Sequence, residues 1–209
     1  MSWTGWRRAA SNLLTARHLN RLAEAIANRI DGLVQSQRRA VFQRSLLDGA
    51  DQVRLSDFHQ FRFDPDRYPA RWLFNGRYNF QKHYYPRPGE LDDDLMQEET
   101  ACAIELDSLP EVTFWVRNLE RQPESSFWLP TSTDRFYPDF VARLHDGRLF
   151  VVEYKGADRY SNDDSREKRD IGSVWGAASS GCCAFLMATH ASLAGMSVGA
   201  QLRRALAGT

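Results

Sequence analysis

FYPDFVARLHDGRLFVVEYKG, residues 136–156, has the alternation and the Asp-Gly signal of two β-strands around a tight turn, yet it carries Asp139, Glu153 and Lys155 among apolar neighbours. Side chains alternate along a strand, so Phe150, Val152 and Tyr154 point to one face and Val151, Glu153 and Lys155 to the other. Apolar groups on both faces mark a central strand covered on both sides. A carboxylate and an ammonium there cost on the order of several kcal/mol unless they pair, hydrogen-bond or meet a bound cation. A solvated hairpin would carry such charges without consequence, but these flanks are too apolar for one.

Whether Asp139 joins the other two charges depends on the parity of the turn. A two-residue Asp146-Gly147 turn sets Phe140 opposite Glu153 and sends Asp139 to the other face. A three-residue loop, His145-Asp146-Gly147 with Gly147 in the left-handed position, pairs Asp139 with Glu153 and gathers all three charges. The odd register is expected.

The preceding segment, read as a helix over 94–109, supplies a fourth charge. Leu95, Glu99, Cys102, Leu106 and Leu109 recur at intervals of 4, 3, 4 and 3, which sets Glu99 within the apolar seam. Glu98 and Glu105 fall off that seam and are expected in solvent. Three carboxylates and a lysine at one end of a sheet are what metal-assisted phosphodiester hydrolysis needs. Oxygen ligands suit Mg²⁺ or Mn²⁺, and the ammonium offsets charge building on phosphorus.

The next elements are a strand over 112–117, the hairpin strands 137–144 and 149–155, a helix over 163–180, a strand over 183–188 and a last helix over 199–208. The order from the 94–109 helix to the 183–188 strand is α-β-β-β-α-β. With PDF and VVEYK on that frame, the chain resembles the PD-(D/E)xK nuclease superfamily. EETACAIELDSLPEVTFWVRN, the 136–156 stretch and EKRDIGSVW are similar, more narrowly, to the C-terminal endonuclease domain of type III restriction enzyme Res subunits.

The resemblance covers roughly residues 70–190. It implies a restriction-endonuclease-like α/β core, a mixed central sheet flanked by helices, with an N-terminal helical and aromatic-rich extension. It implies metal binding by Asp139, Glu153 and Glu99 and a catalytic role for Lys155, in a Mg²⁺-dependent DNA endonuclease of a restriction-modification system. Lys168 and Trp175 fall where the family carries its K…W pattern, Lys168 toward a phosphate and Trp175 in the core. Res subunits resemble helicases over most of their length, whereas this chain has no G-x-x-x-x-G-K-[ST] phosphate loop and so no ATP site. The expected partners are therefore DNA, a helicase/ATPase or methyltransferase modification subunit, and a second copy of the chain, since one site cuts one strand. A non-cleaving DNA-binding or scaffold module on the same fold is the alternative.

Three regions are expected: 1–50 helical, 51–93 an aromatic-rich extension with an acidic linker, and 94–209 the nuclease core. In the first, Leu14, Leu19, Leu22, Ile26, Ile30, Leu33 and Val41 fall at helical spacing, and eight arginines oppose three acids, as either a packing helix or a DNA-facing one. In the second, RWLFNGRYNFQKHYYPRPG interleaves aromatics with Arg77, Lys82, His83 and Arg87, as either a nucleic-acid clamp or a satellite core.

At 209 residues and 43% hydrophobic composition the chain can bury a core, and its formal net charge is zero. Only three residues are lysine, so a lysine beside a Glu carries weight. Cys102, Cys182 and Cys183 lack zinc spacing and read as buried thiols. No apolar run suits a signal peptide or a membrane span, and a cytoplasmic protein is expected.

Overall fold

The computed structural model describes residues 24–30, 32–33, 63–122 and 125–208. The chain forms two units, residues 1–45 and 46–209. In the first unit residues 24–30 and 32–33 are helical, and Leu14, Leu19, Leu22 and Val41 lie outside the described residues.

The second unit is mixed α/β. Its elements are helix α1 (Glu98–Ser108), strand β1 (Val112–Arg117), short strands β2 (Leu129–Pro130) and β3 (Arg135–Phe136), then β4 (Phe140–Leu144) and β5 (Leu149–Lys155). Helix α2 (Asp163–Ala178), strand β6 (Cys183–Thr189) and helices α3 (Ala191–Ala194) and α4 (Val198–Ala207) follow. The central sheet runs β1-β4-β5-β6, antiparallel except for the parallel β5–β6 pair that brackets α2, and β2–β3 make a separate ribbon. Among the described residues no helix is long and apolar enough to cross a membrane.

Alternation sorts the sheet's faces. Phe140, Ala142, Leu144, Phe150, Val152, Tyr154, Ala184 and Ala188 share one core with Cys102, Leu106 and Leu109 at α1 and with Leu202 and Leu206 of α4. The opposite face, with Val141, Val151 and Phe185, receives α2. There Gly172 permits close approach: a Cβ at that position would lie 2.3 Å from the Phe185 ring. Gly172→Ala should therefore destabilise the protein by roughly 1–3 kcal/mol through overpacking, read as a lower urea midpoint at unchanged slope.

α1 begins at Glu98, not at 94, for a local reason. Asp94 N–H donates to Asp92 Oδ1 at 2.8 Å and Met96 N–H to Asp94 Oδ1 at 3.0 Å. These side chains satisfy the backbone in a turned form and delay the helix. β4 likewise begins at Phe140 and not at 137, because Pro138 has no N–H and the Asp139 N–H is directed to a side chain. Cys102 and Cys183 are buried, but Cys182 is exposed: it precedes β6, where alternation sends it outward. Neither β2–β3 nor α3 has a pattern long enough to announce itself.

Candidate active site

The hairpin turn is the odd one. Leu144 N–H donates to Arg148 O at 2.9 Å and Gly147 N–H to Leu144 O at 3.0 Å, with Gly147 at φ 88°. Phe140 pairs with Val152 and Arg143 with Leu149, so one step outward Asp139 faces Glu153. Asp139 N–H donates to Glu153 Oε2 at 3.2 Å, and Asp139 Oδ2 accepts the Tyr154 N–H at 2.7 Å. Lys155 Nζ stands 2.7 Å from Glu153 Oε1, with the Glu153 side chain only 4% exposed. The three charges of the opening stretch thus meet at the carboxyl end of β5.

Glu99 reaches this cluster indirectly. Because α1 starts late, Glu99 lies in its first turn and its side chain is 47% exposed, unlike the seam position expected for it. Its Oε2 is 2.8 Å from Nη2 of Arg117, the last residue of β1, and Arg117 Nη1 is 2.8 Å from Asp139 Oδ1. Nη1 also donates to the Asp139 carbonyl at 2.9 Å. Sequence reasoning passed over Arg117, whose carboxylate partners lie 18 and 22 residues away.

Three carboxylates against Arg117 and Lys155 leave the cluster one negative charge in excess. Burial first, then the Asp139 charge, pushes Glu153 well above the usual carboxylate range, against the pull of Lys155 and Lys168. Burial and Asp139 raise Glu99 in the same way. For Lys155 burial acts downward, but the charge and hydrogen bond of Glu153, with Asp139 and Asp164, outweigh it and hold the ammonium above the ordinary lysine value. Lys155 is therefore a cation at neutral pH, suited to hold water and offset phosphate charge.

Asn118 fixes the approach to Asp139. It is buried, its Nδ2 donates to Phe127 O at 2.9 Å and Pro138 O at 2.7 Å, and its Oδ1 accepts the Phe127 N–H at 2.8 Å. Its backbone N–H donates to Asp139 O at 2.9 Å.

The remaining sequence candidates divide. Lys168, on α2, pairs with Asp164 at 2.8 Å, lies 5.5 Å from the Phe136 ring centroid and acts on Glu153. Trp175 is core, edge-on to Phe127 at 5.6 Å. Arg77 is exposed. Lys82 donates its ammonium to the Leu109 carbonyl just past α1, where that carbonyl has no helical partner.

The segment around Lys82 is a satellite core. Tyr68 stacks on Tyr85 at 4.2 Å, and Phe80 meets Trp115 edge-on at 5.3 Å. Buried Asp107 of α1 accepts the Gln81 and Lys82 N–H groups at 2.9 Å each, Trp115 Nε1–H at 2.8 Å and Tyr78 O–H at 3.4 Å.

His83 joins this layer to the site: its Nε2 accepts the Arg117 N–H at 3.1 Å while Nδ1 lies 2.8 Å from Tyr85 O. Both bonds are satisfied only by the neutral Nδ1–H tautomer. Burial lowers its pKa from 6.5 to about 4. A depressed histidine leaves the unfolded chain holding more protons between those values, so this contribution is whole above pH 6.5. It is lost as pH falls toward 4, by roughly 3 kcal/mol. Urea titrations across that window should show a stability slope that shrinks by about one proton in His83→Gln.

Glu99, Lys155 and Gly156 also border a cleft of about 640 Å³ with Trp72, Tyr154 and Arg159. Glu90, Asp92, Asp93, Glu98 and Glu99 make it acidic, and Glu98, exposed as expected, also hydrogen-bonds Tyr154. A polyanion laid along this cleft would meet mostly like charge.

Among the described residues no three His, Cys, Asp or Glu side chains are gathered as a ready metal cage. Asp139 and Glu153 nevertheless fit a Mg²⁺ ion, which takes one or two carboxylates and keeps its waters. Glu99 and Asp139 share the Arg117 guanidinium, each at 2.8 Å. No protein-family model, curated protein or solved structure matches this chain.

Proposed function

We propose that this chain is a Mg²⁺-dependent DNA endonuclease on a restriction-endonuclease-like core, of the PD-(D/E)xK kind and related to the nuclease part of type III restriction systems. The observation that carries the reading is the odd hairpin register, which sets Asp139 against Glu153 with Lys155 Nζ 2.7 Å from the latter. A charged trio at the end of a buried strand is costly as architecture and useful as chemistry.

Asp139 and Glu153 would hold the cation, which supplies Lewis-acid polarisation of the scissile phosphoryl group when bound. Lys155, kept protonated by Glu153, orients the attacking water and balances charge developing on the phosphate oxygens. Tyr154 N–H and Asn118 keep the Asp139 carboxylate and backbone in place for that task. Lys168 extends the positive side on which the phosphates arrive. DNA is the substrate, a helicase/ATPase or modification subunit is the expected partner, and pairing of two copies would cut both strands.

Supercoiled plasmid incubated with the purified chain and Mg²⁺ should become nicked and linear, and EDTA should stop it. DNA binding indifferent to Mg²⁺ and to Glu153→Gln, with no nicking, would instead identify a non-cleaving DNA-binding module.

A further inference from the structure

Arg117 stands where the acidic cluster most needs a cation. Its guanidinium is 2.8 Å from both Glu99 and Asp139, lies 5.3 Å from the Phe140 ring centroid and belongs to a side chain only 13% exposed. Its backbone is held as well: the N–H by His83 Nε2, and the carbonyl by Tyr68 O–H at 3.0 Å. A fork anchored at both ends is preorganised to keep two carboxylates together and poorly placed to swing toward a substrate.

Resting on the nuclease reading, we infer that Arg117 is the resident counter-cation of the site: it draws Glu99 and Asp139 together so that the carboxylates are assembled before any divalent ion arrives. In a site without such a group, like charges hold one another apart until metal binds, and metal binding then becomes part of folding. Here the metal is an addition to a finished site. Arg117 is thus a positioning residue.

Thermal melts of the protein alone, in EDTA, Mg²⁺ and non-cleaving Ca²⁺, test this. Wild type is expected to melt at nearly the same temperature in all three. Arg117→Met should melt about 10 °C lower in EDTA and regain at least half of that loss in either metal. Adding Glu99→Gln to Arg117→Met should weaken that rescue, because one repelling carboxylate is gone.

A variant that folds only with metal also supports the inference. A loss that neither metal restores, or no loss in EDTA, overturns it. Plasmid cleavage is scored separately: a wild type that cuts, with an Arg117→Met protein whose melt ignores metal, refutes the counter-cation while leaving the nuclease standing. A wild type that never cuts, with metal-rescued melts, does the reverse.

Discussion

Asp139→Ala and Lys155→Ala should each lower plasmid cleavage by at least about a thousandfold, with the fold kept. Asp139 presents two oxygens to different tasks: Oδ2 takes the Tyr154 N–H and Oδ1 faces Arg117. Asp139→Asn keeps an oxygen for Tyr154 but gives up the charge, so it should cut almost as poorly as Asp139→Ala while melting closer to wild type. Lys155→Ala removes the partner of a nearly buried Glu153 and lets that carboxyl take up a proton, which disables a cation ligand as well as the ammonium. The measurement is the single-turnover nicking rate beside a circular-dichroism melt of the same sample. Nicking at the wild-type rate in both variants would remove the trio from the chemistry.

Asp107→Ala should cost about 3–5 kcal/mol of stability, a melting point roughly 10 °C lower, as large a loss as that expected of Arg117→Met. Buried Asp107 receives two backbone N–H groups, an indole N–H and a phenol, and alanine strands all of them. Those donors come from the 78–82 segment and from Trp115, so the aromatic layer should loosen before the sheet does. Asp107→Asn, which still accepts but lacks the charge, should lose less. Hydrogen exchange at the amides of Gln81 and Lys82, accelerated well ahead of those in β5, would locate the damage. Uniform acceleration would contradict it.

The hairpin was legible because parity is discrete: Gly147 is the one residue in its loop that takes a left-handed backbone without strain, and that choice fixes every partner along β4 and β5. The runs 112–117, 149–155 and 183–188 were legible as strands because burial on both faces or strict alternation left no helical period. Glu99 was found for a partly mistaken reason. Its spacing to Leu95 assumed a helix that the Asp92 and Asp94 side chains prevent, and its link to the site runs through Arg117. Arg117 itself is invisible to local pattern, being a strand-end arginine like many others until the chain folds Glu99 and Asp139 onto it. Lys82 was left open between two readings because aromatics flanking a basic residue read alike for a stacking surface and for a small core. Only the position of Asp107 and the Leu109 carbonyl separates them.

The bonds from Tyr68 and His83 to the two backbone groups of Arg117 bear on how the molecule can be cut down. A truncated chain starting at residue 94, where the acidic run ends, would keep all of Glu99, Asp139, Glu153 and Lys155 yet discard both clasps on the arginine. It would also bare the flank of Trp115 and leave Asp107 without three of its donors. The smallest fragment worth expressing therefore begins no later than Phe63, which already leans on Tyr84 and Phe114.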